Sequence, residues 1–287
     1  MLKPILLTEH SSEIVTLTLN RPERCNAFSL NMLEQFHSHL CRLERDRQRR
    51  VVILRGAGKM FCSGMDLAEA AENTLPEEIE QAKNPETFPW RKSHQHKIAS
   101  FVAEIFVQLR RMPQIVICAP HGFACGGGGG LIAASDLVVA ADDLKIMFPE
   151  LKRGLKPVLL FPLLRRKLSD SALRWMVLTG TAIDAQCTRK FGLVHDIVRP
   201  DMLDEAALSL ARDVCLGEPE TVHHAKQQMQ SPGTGHDIVK PNMLCDFELF
   251  KEEMQQAVEQ HTRSWFSVSA QEGVAAFLEK RLPEWMP

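Results

Sequence analysis

The sequence predicts an α/β core over residues 1–200 followed by a helical region over 201–287. Short β-branched runs alternate with segments of helical period through the first two thirds of the chain. Two of the strand-to-helix junctions contain glycine, one residue at Cys62–Asp66 and a run of five at Gly126–Gly130. From Asp201 onward the pattern is wholly helical. That order suits one layered α/β core with a helical appendix, and 287 residues suffice to bury it.

Taken in order, Ile14–Leu19 (IVTLTL) is a strand ended by Asn20-Arg21-Pro22. Ser29 caps a helix carrying Leu33, Phe36, Leu40 and Leu43, and the basic cluster Arg42–Arg50 suits the negative end of its dipole. Val51–Leu54 (VVIL) is a strand covered on both faces, leading into GAGKMFCSGMDLAEA. Residues 69–100 are acidic, then proline-interrupted, then basic (WRKSHQHK); they read as a mobile cover or insertion, with His94 and His96 solvated on its surface. A helix Ile98–Arg111, stopped by Pro113, precedes the strand Gln114–Ala119. Ala124–Asp136 (ACGGGGGLIAASD) reads as a side-chain-free loop at Gly126–Gly130 and then a helix. Strands Leu137–Ala141 and Leu144–Phe148 flank the turn Asp142-Asp143. Helices Val158–Leu168, Ser171–Leu178 and Asp184–Lys190 follow, with Gly192 as a C-terminal cap before the strand Leu193–Val198. The helical region contains Leu203–Cys215, a break around Ser231-Pro232-Gly233, then Asn242–His261 and Ala270–Lys280.

A net charge of −2 argues against nucleic acid as the main partner and gives no case for a membrane surface. The eight cysteines form no CxxC pair and several sit in apolar runs, which favours buried thiols in a reducing cytoplasm over disulfides or a metal site. The first residues, MLKPILLTEHSS, lack the apolar core and cleavage site of a signal peptide. The expected compartment is cytoplasmic.

The glycine run marks the chemistry. A helix starting beside it aims unpaired N–H groups at whatever sits there. A phosphate loop needs Lys-Ser/Thr after the last glycine, but Leu131-Ile132 follow. A dinucleotide fingerprint is matched only because a glycine run matches any spacing, and the expected downstream acid is missing. Two strand–glycine–helix junctions can instead place two amide donors around one oxygen. Such an oxyanion hole is worth about 10²–10³ in rate per donor, and a carbonyl that becomes an enolate is a suitable guest.

The segments FCSGMDL (Phe61–Leu67), HGFACGGGGGL (His121–Leu131), SDLVVA (Ser135–Ala140), FPELKRGL (Phe148–Leu155), LTGTAIDA (Leu178–Ala185) and FGLVHDIV (Phe191–Val198) occur in that order. Together with NRPERCNAFS near the start and EGVAAFLEKR near the end, they resemble the enoyl-CoA hydratase/isomerase, or crotonase, superfamily over nearly the whole chain. The resemblance implies a spiral of ββα units with a C-terminal helical trimerisation region, assembled as a homotrimer or homohexamer. It implies an acyl-CoA thioester as substrate and no cofactor beyond its coenzyme A moiety. The oxyanion donors carry over to the amides of Met65 and Gly127. Coenzyme A would run past Arg24, Asn26 and Ala27 and past Met65, Asp66 and Leu67, with Phe277 and Lys280 of the last helix also contributing, often across a subunit boundary.

Hydratases of this family use two glutamates. One matches Glu150; the position of the other is Gly130. A single carboxylate suits moving one proton between two carbons better than adding water, so the resemblance with this departure implies double-bond isomerisation, with Glu150 as base. Hydration, decarboxylation and a non-catalytic acyl-CoA-binding role stand as alternatives. Val158-Leu159-Leu160 replace a glycine-rich continuation; valine near the carboxylate narrows the space for water and makes the surroundings more apolar. Asp66 reads as a helix cap, Asp136 as a turn residue and His121 as a satisfied core histidine, while Cys62 and Cys125 have no adjacent base.

Overall fold

The computed structural model describes residues 3–84, 88–230 and 246–287. Strand β1 (Ile5–Glu9), not read from the sequence, pairs antiparallel with β2 (Ile14–Leu19), and its outward face is polar or exposed. Helix α1 (Leu30–Arg45) starts where Ser29 accepts the Met32 amide at 3.2 Å and ends on Arg42 and Arg45. It buries Met32, Leu33, Phe36, Leu40 and Leu43, a stripe at helical spacing. β3 (Val51–Gly56) lies parallel to β2.

The segment expected to be a mobile cover has more structure than its composition suggests. Helix α2 (Leu67–Glu72) begins at an Asp66 cap, and α3 (Pro76–Gln81) follows. Phe88 and Trp90 pack edge-on against each other and against Phe266, fastening the segment to the C-terminal region. Helix α4 (His94–Arg111) begins four residues ahead of the reading because Ser93 accepts the His96 amide. That puts His94 and His96 in a first helical turn, half-buried, rather than on a solvated loop.

β4 (Ile115–Cys118) continues the parallel sheet, and β5 (Phe123–Cys125) is a short strand the sequence did not announce. The glycine run is not a loop: α5 (Gly127–Ala134) takes in Gly127 to Gly130 as its first turn. The buried apolar residues Leu131 to Ala134 carry the helix, and its glycines let it enter a crowded interior. β6 (Leu137–Ala141) and β7 (Lys145–Met147) follow as read, except that β7 is shorter. Helix α6 (Phe161–Lys167) starts later than expected, with Pro162 in its first turn. Ser169 caps α7 (Asp170–Thr179), and Asp184 ends β8 (Ile183–Asp184) while capping α8 (Ala185–Lys190). β9 keeps only Asp196–Val198 of its predicted run.

Among the described residues the strands form a six-stranded sheet, β1-β2-β3-β4-β6-β9, parallel beyond β1, and a three-stranded sheet, β5-β7-β8. Helix α9 (Leu203–Cys215) buries Leu203, Ala207 and Ala211 against Val51, Ile53, Ile117 and Val139 of the large sheet. Helix α10 (Pro219–Met229) was not singled out by the sequence. It brings Lys226 inside, where the ammonium meets Asp136 at 2.7 Å and the carbonyls of Leu109 and Gln114. Asp136 is thus not the local turn residue expected: its side chain also accepts the amide of Val116, in a strand 20 residues away. The predicted break at 231–233, the first residues of Asn242–His261, and Cys245 lie outside the described residues. Helix α11 (Asp246–Trp265) packs along α4, and α12 (Val268–Glu279) along residues 150–153 and α2. Among the described residues no helix is long and apolar enough to cross a membrane.

Candidate active site

The two glycine junctions meet. The segment following β3 is held on one side by Phe28, whose amide donates to the Gly64 carbonyl at 2.7 Å and whose carbonyl accepts from Asp66 at 3.1 Å. On its other side Cys62 exchanges hydrogen bonds with Phe123 and Cys125 of β5. In such a parallel bridge the pairing to Phe28 uses the groups of Gly64 and Asp66, so the Met65 amide points the other way. Gly127 is the first residue of α5, where an N–H has no intrahelical acceptor. Among the described residues neither amide meets an acceptor, and both residues line one cavity. The loops are in contact: a Cβ added to Gly64 would lie 3.2 Å from the Gly127 nitrogen.

Glu150 closes the arrangement from the turn after β7. It opens a short 3₁₀ segment, Glu150–Arg153, and its carboxylate reaches over Gly126. A Cβ on Gly126 would lie 2.6 Å from Glu150 Oε1 and displace the carboxylate, and the φ of +52° is one that favours glycine. Oε2 is buried without a hydrogen-bond partner among the described residues. Burial pushes the Glu150 carboxyl up to about 7, against the opposing pull of its own backbone amide and of the Arg153 guanidinium.

The position of a second acid is filled. A Cβ on Gly130 would run into the ring of Phe106 from α4 and stand 3.0 Å from Leu160 Cδ2. The sequence placed Val158 near the carboxylate, but Val158 faces a different groove, toward Leu173 and Leu178, and it is Leu159 and Leu160 that line the cavity. The cavity, about 80 Å³, is lined by Glu150 and the glycines together with Ile98 and Val102 of α4 and His261 of α11. A wider groove of about 700 Å³ between α1, α4 and α11 is walled by charged side chains such as Glu104, Arg111 and Lys251, and it contains neither glycine junction.

The residues expected along coenzyme A fall into two groups. Asn26 is wholly buried, and its amide is spent on the backbone of Arg21, Ala57 and Met60. It shapes the loop, and any contact to a ligand would come from the main chain. Ala27 likewise gives its carbonyl to Arg21. Asp66 caps α2 as read, accepting the Glu69 amide, and pairs with Arg21 at 3.1 Å and Arg24 at 3.6 Å. Met65 and Leu67 border the cavity. Phe277, half-exposed, carries the Arg153 guanidinium 4.2 Å above its ring, while Lys280 is an exposed C-cap with φ +57°. Phe277 therefore stands beside the Glu150 turn of its own chain.

His121 is not a core residue: it is half-buried and its Nε2 bonds the Gly58 carbonyl at 3.0 Å, outside the cavity. Burial pushes the thiols of Cys62 and Cys125 up to about 12 and about 11, so neither forms a thiolate readily. Sequence reasoning missed Arg153 and His261. The signal for His261 was its register: it continues the buried stripe Phe250, Met254, Ala257, Val258.

The chain matches the model of the enoyl-CoA hydratase/isomerase family over residues 9–287. It is 29% identical to a 1,2-epoxyphenylacetyl-CoA isomerase of Escherichia coli, across 98% of this chain and 97% of that protein. It is 27% identical to a 2,3-dehydroadipyl-CoA hydratase of the same organism, across 98% of each. Among solved structures, an enoyl-CoA hydratase from Mycobacterium avium superposes over 100% of both chains with a TM-score of 0.79 at 26% identity. One from Mycobacterium smegmatis gives 0.70 at 28% identity over 98% of each chain.

Proposed function

The chain belongs to the enoyl-CoA hydratase/isomerase family and has the crotonase fold, and from that premise we propose that it isomerises an enoyl-CoA with Glu150 as its single proton carrier. The observation that carries this reading is the filled space at Gly130, where Phe106 and Leu160 leave no room for a second carboxylate. The thioester oxygen of a 3-enoyl-CoA accepts hydrogen bonds from the amides of Met65 and Gly127. Glu150 takes a proton from C2, the electron pair moves into the dienolate, and the two amides stabilise the charge on the oxygen. The protonated Glu150 then returns the proton to C4, leaving the 2-enoyl-CoA and the carboxylate as it began. No water is consumed.

The surroundings support this division of labour. A carboxyl raised to about 7 is matched in basicity to work near neutral pH. Leu159 and Leu160 add hydrocarbon to the cavity that Glu150 lines, which supports a site with little place for water. In this reading coenzyme A passes the Arg24–Ala27 loop and the segment Met65 to Leu67, with Phe277 and Lys280 contributing from a neighbouring subunit. The exposed apolar residues Trp175, Leu178, Val268 and Leu282 support assembly into a trimer or pair of trimers.

The test is turnover of a 3-enoyl-CoA followed by the absorbance of the conjugated product. Wild type forms the 2-enoyl-CoA, and Glu150→Gln loses about 10²–10⁴ in rate, the usual worth of a general base. A wild type that leaves 3-enoyl-CoA untouched but hydrates 2-enoyl-CoA would overturn the isomerase reading in favour of the hydratase.

A further inference from the structure

His261 lies in the last turns of α11 with 9% of its surface exposed, and it lines the same cavity as Glu150. Its neighbours on the helix are satisfied: Thr262 Oγ1 donates to the Val258 carbonyl, and Ser264 Oγ to the carbonyl of His261 itself. The imidazole is different. Among the described residues its ring nitrogens have no hydrogen-bond partner and it has no carboxylate beside it. The ring borders a cavity lined by Ile98, Val102, Leu155 and Leu159 and also by Arg153 and Lys156, so it is open to a hydrogen-bonding group that enters there. Burial holds it neutral, with its pKa lowered to about 4, so it offers one N–H donor and one lone pair and no charge.

The candidate oxyanion amides, Glu150 and His261 line one cavity, with Ile98 and Val102 of α4 beside them. An acyl chain seated with its thioester at those amides shares that cavity with His261. We propose that His261 is a specificity-determining residue that hydrogen-bonds a hydroxyl or oxo oxygen carried by the acyl chain, so that the preferred substrates are oxygen-substituted acyl-CoA thioesters. The inference rests on the acyl-CoA reading above. A plain hydrocarbon chain strips water from the imidazole and returns nothing, whereas a hydroxylated chain pairs it. Sites built to bond a substrate hydroxyl discriminate against the analogue lacking it for this reason. One neutral hydrogen bond in such a pocket corresponds to about 10–100-fold in affinity. His261 itself offers a carboxylate-bearing chain no counter-charge, whereas Arg153 and Lys156 line the same cavity.

The experiment is calorimetric binding to the full chain of hexanoyl-CoA and of its 4-, 5- and 6-hydroxy derivatives. Wild type is expected to favour at least one hydroxylated ligand by about tenfold or more. His261→Leu should erase that preference by tightening hexanoyl-CoA and weakening the hydroxylated ligand, and His261→Gln, which keeps a donor and an acceptor, should retain part of it. Equal affinities in wild type, or a preference that survives in His261→Leu, overturns the proposal. The wild-type and glutamine arms decide it even where the leucine variant does not fold. Because binding needs no turnover, a hydroxyl preference without isomerisation would refute the isomerase reading alone, and binding without preference would refute this inference alone.

Discussion

Replacing Gly130 by glutamate restores the residue type of a two-acid site, and the structure says that the chain will not tolerate it. The new Cβ meets the Phe106 ring at the buried face of α5, with Leu160 Cδ2 at 3.0 Å behind it. Phe106 is fully buried in the main core and has nowhere to retreat. Overpacking a close-packed interior costs about 1–3 kcal/mol, and a carboxyl placed there without partners costs about as much again. Relief of a helical glycine returns only about 1 kcal/mol. The net loss of about 3 kcal/mol lowers the melting temperature by roughly 6 °C in a domain of this size. Differential scanning calorimetry of Gly130→Glu beside wild type measures the shift, and a 2-enoyl-CoA hydration assay on the same sample should stay blank. A melting temperature within a degree of wild type, or hydration by the single variant, would refute the argument that packing excludes the second acid.

The isomerisation rate, as kcat/KM, should rise with pH up to about 7 and level off, because Glu150 works as a base only when ionised and burial raises its pKa to about 7. The same shift favours the neutral form in the fold, so its contribution to stability is full below the ordinary value of 4.5 and is lost as pH rises through about 7; a pH–rate profile with a limb near 4.5 would contradict the burial. Lys226→Met should destabilise by about 3 kcal/mol, since it strands Asp136 beside two carbonyls that lose their donor. Urea unfolding gives the number, and the same measurement on Lys226→Met with Asp136→Asn should recover part of the loss.

Legibility of the chain followed periodicity and local caps. Ser29, Asp66 and Asp184 announce their helices because a short polar side chain before an apolar stripe has one main use. The parallel strands Val51–Gly56 and Ile115–Cys118 show as apolar runs because both faces are covered. Strands of three residues such as Phe123–Cys125 leave no period to read, and their pairing depends on partners distant in sequence. The glycine run misled in one respect: five residues of poor helix propensity read as a loop, yet four of them begin a helix because only glycine fits against Cys62, Phe148 and Phe106. The candidate oxyanion amides of Met65 and Gly127 and the candidate base Glu150 came from the glycine junctions and from the family resemblance. Lys226 and His261 did not, since a polar residue on a buried stripe gains its meaning only from what faces it.

The central claim is that one buried carboxylate and two unpaired amides carry a proton between carbons of a thioester without adding water. Incubating the protein with a saturated acyl-CoA in deuterated water and following the α-carbon by mass spectrometry tests it most directly. Wild type should introduce deuterium at that carbon and Glu150→Gln should not, with no hydrated product from the corresponding 2-enoyl-CoA. No label in wild type across several chain lengths, or label undiminished in Glu150→Gln, would contradict the account.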